Sequence, residues 1–504
     1  MESRTKNSAR NMFFAIIMQI ITVLLSFACR TVFARLLETE YLGLSGLFSN
    51  IISVLSLSEL GIGSVIIIHL YKPLSDNNED MICRLMNFYR KAYTAVGLFV
   101  IGAGLAVTPF LDVLVKSDTD IPHLKLYFLL FVLQSATSYF FAYKQSLLTA
   151  SQKEYICTIV RHLFGIIMNG LQIVFLLLTK QYITYLLVAI VTNLGTNLAI
   201  SIIADRKFPY IKRSHHLMLD KARTKSMYRD VSSMMLHKVG NTVISSTDNI
   251  LISSMIGVIY TGLYSNYLLI MNSITQVITI ALNAVSASIG DFNARKTADE
   301  RYELFDAMQL ISTWVFGMSA ICFCCLFQPT IKIWLGEKYL LDFSIVLVIS
   351  INFFINGLCR VPGTFADVNG LYNKTKFKPI LMATINLAAS IIFLKLWGLV
   401  GVFLGTLVSY LSVAIWVDPY FLYKDVFGMG AEKYFISLVK NVITVSFIGA
   451  ITYLGVLAVP YYVLKVLTAL VLSNLLLLIC YGRTIGFKFV KTRIKNLLGR
   501  TKIK

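Results

Sequence analysis

Apolar runs of about 20 residues alternate with short polar stretches along almost all of this 504-residue chain. At 1.5 Å of rise per helical residue, such a run matches the ~30 Å apolar core of a bilayer. The pattern predicts spans at 11–34, 42–70, 88–111, 122–149, 155–178 and 181–203. After a polar interruption at 204–230 come 232–256, 259–289, 303–328, 341–366, 377–396, 398–417, 435–458 and 461–482. No stretch shows the alternation of a strand, and open backbone is not tolerated against lipid. The expected class is therefore an all-α polytopic membrane protein of about fourteen transmembrane helices.

Composition agrees. The chain is 57% hydrophobic and 14% charged, whereas soluble domains carry roughly a quarter of charged residues. The first run, "MFFAIIMQIITVLLSFA", follows Arg4, Lys6 and Arg10 and precedes Arg30 and Arg35, with no small-residue cleavage site. It reads as a retained span rather than a signal peptide. Eight cysteines form no CxxC pair, and the histidines share no metal spacing, so neither a disulfide framework nor a metal site is expected.

The net charge of +20 raises the question of an acidic partner. Basic residues gather in alternate loops: Arg206 to Arg229 in the interruption, then Lys374, Lys376 and Lys378, then Arg483 to Lys504. The loops between them hold isolated cations such as Lys116, Lys180 and Lys338. The positive-inside rule places both termini in the cytoplasm, as an even span count requires. Anionic membrane lipids account for this charge, and the tail 483–504 reads as a basic amphipathic helix on the inner leaflet. No folded basic domain with interleaved aromatics is present, which argues against nucleic acid.

One short pattern occurs twice. "SGLFSN" at 45–50 returns as "TGLYSN" at 261–266, 261 − 45 = 216 residues later. Six spans separate the copies, so both cross the membrane in the same sense, as in a parallel duplication. The expected organisation is a six-helix lobe at 1–203, a basic linker at 204–230 and a second six-helix lobe at 231–417. Two appended helices at 418–482 and the tail at 483–504 complete it. Small residues in the echo favour close packing between the first two spans of each lobe. Paired lobes are a transporter design. The outer loops are too short for a catalytic ectodomain, and no Walker loop, HExxH or suitably placed GxSxG occurs, so enzymatic activity is not expected.

Three segments, "CRTVFARLLETEYLGLSGLFSN" (29–50), "SELGIGSV" (58–65) and "STDNILISSMIGVIYTGLYSN" (246–266), carry a resemblance. Together with the six-six-two arrangement, the whole chain resembles bacterial polysaccharide (Wzx-type) flippases of the multidrug/oligosaccharidyl-lipid/polysaccharide exporter superfamily. The resemblance implies export of undecaprenyl-pyrophosphate-linked oligosaccharide repeat units for capsule, exopolysaccharide or a related polymer. It also implies location in the bacterial cytoplasmic membrane and polysaccharide polymerase machinery as a candidate partner. Three alternatives remain: a cation-coupled multidrug exporter, whose branch commonly carries an acidic residue in the first span; a lipid II flippase, whose branch carries several arginines in its early spans, more than this chain has; and a membrane polymerase or glycosyltransferase. Here the first span carries Arg30 and no carboxylate.

Charges inside spans cost about 2.5–3.5 kcal/mol on insertion scales and should face protein or water. Arg30 and Arg35, in the outer part of the first span, and Arg360 in the tenth are candidate ligands for pyrophosphate or an acidic sugar, because guanidinium grips phosphate bidentately. Interfacial anchoring is the plainer account of Arg35 and Arg360. Asp248 subtracts to 248 − 216 = 32, near Arg30, so a state-dependent Arg30–Asp248 pair is expected to act as a gate. Glu59, in the second span, is a candidate coupling group for H+ or Na+, with a structural hydrogen bond as the competing account. No cofactor is expected.

Overall fold

The computed structural model describes residues 2–488 apart from 60, 61, 118–120, 212–218, 221–223, 226, 229, 230, 232–241, 245, 296 and 485. The expected tail and much of the expected linker lie outside the described residues. Among those described, eleven helices are long and apolar enough to cross a membrane, and no strand occurs. The protein is an all-α, multi-pass membrane protein.

The helices run α1 (Glu2–Leu36), α2 (Thr39–Leu55), α3 (Ile62–Ser75), α4 (Glu79–Val107), α5 (Leu111–Leu114), α6 (Leu124–Ala150), α7 (Glu154–Thr179) and α8 (Tyr182–Lys207). They continue as α9 (Val258–Arg295), α10 (Ala298–Trp334), α11 (Phe343–Val368), α12 (Lys378–Trp397), α13 (Leu399–Phe427, with two π-helical turns), α14 (Glu432–Leu457) and α15 (Tyr462–Tyr481). The eleven spans coincide with eleven of the fourteen expected. The expected span 42–70 is broken: α2 ends in a 3-10 turn at Ser56–Glu59 before α3 begins. The expected span 259–289 falls within the 38 residues of α9. Part of 232–256 lies outside the described residues, and its end forms a π-helical turn, Ile252–Ile256.

Local chemistry sets the boundaries. Asn78 caps α4 by accepting from Met81 N at 2.9 Å. Thr297 and Glu300 form a reciprocal capping box that starts α10, satisfying amide groups that have no partner within the first turn. Gly398, at φ +60°, makes the turn between α12 and α13, a left-handed conformation that favours glycine. Pro362 stands inside α11 and cannot donate to the carbonyl of Leu358 four residues earlier. Gln309 Nε2 from α10 supplies that bond at 3.1 Å. Next to it, Ser312 Oγ donates to the Gly357 carbonyl at 2.9 Å.

The chain divides into two compact units, Met1–Ser265 and Asn266–Lys504. The division falls inside α9. The first unit has its core between α3, α4, α6 and α8, where Ile66, Leu70, Met86, Tyr89, Tyr93, Tyr139, Tyr143 and Leu147 are buried. In lipid, contacts of this kind hold helices by close packing rather than by escape from water. The second unit is built on phenylalanines of α10 and α11. Phe305 meets Phe365 edge-on at 5.3 Å, and Phe323 meets Phe353 edge-on at 4.8 Å.

The two echoes pack against each other. A methyl group at Gly43 would collide with the Val258 carbonyl, and one at Gly262 would lie 2.5 Å from the Thr39 carbonyl oxygen. At Gly46 the nearest atom would be Thr261 Cγ2, at 3.4 Å. The small residues therefore serve a crossing of α2 with the start of α9, copy upon copy. In place of the expected packing between the first two spans of each lobe, these glycines meet across α2 and α9.

Candidate functional site

Arg30 sits near the end of α1, between the second echo and the start of α8. Its Nη1 donates to Ser265 Oγ at 3.1 Å, and the Ser265 hydroxyl in turn donates to the Gly262 carbonyl at 2.7 Å. Tyr182, Tyr185 and Cys29 are its electrostatic neighbours. The tyrosines are themselves fixed: Tyr182 shares a 2.8 Å bond with Ser45 of the first echo, and its ring stacks on Tyr185 at 6.2 Å. Phe33 meets both rings edge-on, Tyr185 at 4.9 Å and Tyr182 at 6.0 Å. Among the described residues, then, the Arg30 guanidinium is oriented by neutral groups, with one of its five N–H donors used. Arg35 is exposed in the last turn of α1, where a cation complements the helix dipole.

Arg360 repeats that arrangement in the second unit. Its Nη1 donates to Thr279 Oγ1 at 3.2 Å and its Nε to Asn356 Oδ1 at 3.4 Å. The guanidinium lies over the Phe316 ring at 5.5 Å, and Tyr410 OH accepts from Asn356 Nδ2 at 2.6 Å. Among the described residues Arg360 is thus held by an amide, a hydroxyl and a ring face, none of them a carboxylate.

Glu59 ends the 3-10 turn that breaks the second span. The hydroxyls of Tyr93 on α4 and Tyr139 on α6 both face its carboxylate, with Ser146 beside Tyr93 and Ser56 and Ser135 beside Tyr139. Asp248 is half-buried in the helical turn before Ile252–Ile256. Its pairing with Arg30 remains an expectation; in this structure Arg30 donates to Ser265.

Two ion pairs join further helices, each within one unit. Lys144, within α6, meets Asp205 near the end of α8 at 2.8 Å. Lys378, counted from sequence as a loop cation, is paired with the buried Asp418 of α13. Lys144 and Asp418 stand in apolar helices and so carried the same signal as Arg30. Their partners lie 61 and 40 residues away, a distance no local pattern bridges.

The architecture is that of a known class. A multidrug resistance MATE family transporter of the MOP superfamily, inward-facing, superposes with a TM-score of 0.62 at 13% identity, over 80% of this chain and 96% of that one. The lipid II flippase MurJ, inward closed, gives 0.63 at 12% identity over 93% and 99%. A mutant form of the Vibrio cholerae MATE transporter VcmN gives 0.55 at 13% over 85% and 100%. The fold is thus that of MOP-superfamily transporters. A family profile described as polysaccharide biosynthesis protein matches residues 32–343, and the chain belongs to that family. No curated protein matches the sequence. The resemblance seen in the sequence is borne out in both fold and family.

Proposed function

We propose that this protein is a flippase that carries an undecaprenyl-pyrophosphate-linked oligosaccharide across the bacterial cytoplasmic membrane by alternating access. The observation that carries this reading is the pair of helix-embedded arginines, Arg30 and Arg360, each held by neutral partners. Uncompensated guanidinium in a low-dielectric setting attracts an anion strongly, and its donor geometry suits pyrophosphate. The family's part in polysaccharide biosynthesis supports a saccharide cargo. A cation-drug exporter would instead be expected to present a carboxylate in the first span, which here carries Arg30.

In this reading each arginine offers its own unit a cation for the pyrophosphate while the prenyl chain stays in lipid, and no bond in the cargo is made or broken. Glu59, facing two tyrosine hydroxyls, is the group through which an H+ or Na+ gradient would drive the cycle. The basic loops face the cytoplasm and its anionic lipids, and a polymerase receives the exported repeat unit.

The test is made in a producing strain that lacks the chromosomal copy. Wild-type protein is expected to restore surface polymer. Arg30→Gln and Arg360→Gln are expected to leave lipid-linked oligosaccharide in the inner leaflet, out of reach of an externally added lectin. Restoration by both arginine variants at normal protein levels would defeat the proposal.

A further inference from the structure

Helices α6 and α8 run side by side in the same direction, joined near their starts by the Tyr127–Tyr182 ring contact at 4.9 Å and near their ends by Lys144–Asp205. Between these contacts the seam carries a row of polar, uncharged side chains among buried apolar ones. Ser138 Oγ accepts from Asn193 Nδ2 at 3.2 Å and from Asn197 Nδ2 at 3.3 Å, while Asn193 Oδ1 accepts from Asn197 Nδ2 at 2.9 Å. Gln134 lies one turn before Ser138, on the same face of α6, and its carbonyl accepts from Ser138 Oγ at 3.2 Å.

Interhelical adhesion explains the Ser138–Asn193–Asn197 bonds. It does not explain the rest. Among the described residues, the side-chain amide of Gln134 has no hydrogen-bond partner, and Asn197 Oδ1 accepts no bond. Neither atom set belongs to the buried groups lacking partners, and both residues are partly exposed. They also sit deep in the membrane: Gln134 is residue 134 − 124 + 1 = 11 of the 27 in α6, and Asn197 is residue 197 − 182 + 1 = 16 of the 26 in α8. An amide facing acyl chains at that depth would forfeit several kcal/mol per unsatisfied group. These groups therefore face water or a ligand.

We infer that Gln134, Ser138, Asn193 and Asn197 form a saccharide subsite at mid-membrane in the first unit. Carboxamides present a donor and an acceptor side by side, which is what adjacent sugar hydroxyls require, and no charged group interrupts the row. This subsite rests on the flippase reading and adds to it: Arg30 of the same unit attracts the common pyrophosphate, and the amide row reads the sugar. Discrimination of that kind is strong, because a site built to bond hydroxyls leaves its own groups unpaired when they are missing.

The experiment uses the purified full-length protein in proteoliposomes. The probe is the lipid-linked oligosaccharide that accumulates in the deletion strain. Two competitors are added separately: inorganic pyrophosphate, and the free oligosaccharide released from the carrier by mild acid. Gln134→Leu and Asn197→Leu are expected to raise KM about tenfold, the effect of one or two lost hydrogen bonds, with kcat within about twofold. Competition by free oligosaccharide should weaken by the same factor while competition by pyrophosphate stays unchanged, and Gln134→Asn should recover part of the loss. The inference is overturned if both leucine variants keep the wild-type KM, if both competitors weaken together, or if free oligosaccharide never competes with wild type. Wild-type protein that moves no lipid-linked oligosaccharide at all would instead overturn the flippase reading, and this subsite with it.

Discussion

Gly262 rests on Gly43: a methyl group on Gly262 would stand 3.0 Å from the Gly43 amide nitrogen. The second copy of the six letters, and the glycine two residues before the first, thus mark a place where two helix backbones touch. Such an approach leaves room for hydrogen and nothing larger, so both positions need glycine for lack of space, independent of backbone conformation.

Adding one carbon at this crossing should be costly. Gly43→Ala and Gly262→Ala are each expected to destabilise the protein by about 1–3 kcal/mol, the usual effect of overpacking. Thermal unfolding in detergent would measure this. Gly170→Ala serves as the control, since nothing lies within 4 Å of the added carbon, and it should be neutral or slightly stabilising.

Arg30 is expected to need its shape as well as its charge. Arg30→Lys keeps the charge but loses the planar fork, and should cut transport of lipid-linked oligosaccharide about tenfold. Arg30→Gln should cut it further. Ser265→Ala removes only an orienting acceptor and should have the smallest effect of the three. Equal rates for the lysine and wild-type proteins would show that fork geometry is not used.

Glu59→Gln tests the coupling role by an imposed gradient. Vesicles with and without an H+ or Na+ gradient should show the same slow transport in the variant, whereas wild-type transport should accelerate with one of the two gradients. A variant that still responds to the gradient would leave Glu59 as a structural partner of Tyr93 and Tyr139.

The Lys144–Asp205 pair should show coupling in a double-mutant cycle. Side chains here are 15% and 24% exposed, so the penalty for an orphaned charge is expected to fall below the ~3–5 kcal/mol of a fully buried pair. Asp205→Asn alone should lower thermal stability, and Lys144→Met added to it should restore part of the loss. Additive effects would mean that the 2.8 Å contact contributes nothing.

How far each feature could be read from sequence depended on its range. Span positions were legible because bilayer thickness fixes the length of an apolar run. Arg30, Glu59 and Arg360 were legible because a charge inside such a run is costly and stands out. The break at Ser56–Glu59 was only half legible: its glycines were visible, but a helix that stops and restarts has the same hydropathy as one that continues. Gln134, Ser138, Asn193 and Asn197 were not legible, since single amides and hydroxyls in apolar helices are inexpensive when paired, and their four-residue spacing within each helix does not reveal that the two pairs meet.

The sequence by itself determined the class of protein, the number and place of nearly all its crossings, and which residues carry charge into the membrane. Tertiary structure alone decided their partners: Ser265 for Arg30, 235 residues away, Asp205 for Lys144, and one echo for the other. Hydropathy is a property of each segment against its solvent, so it can be summed along the chain. Pairing depends on which helices stand next to each other, and that is set by packing among segments of nearly identical apolarity.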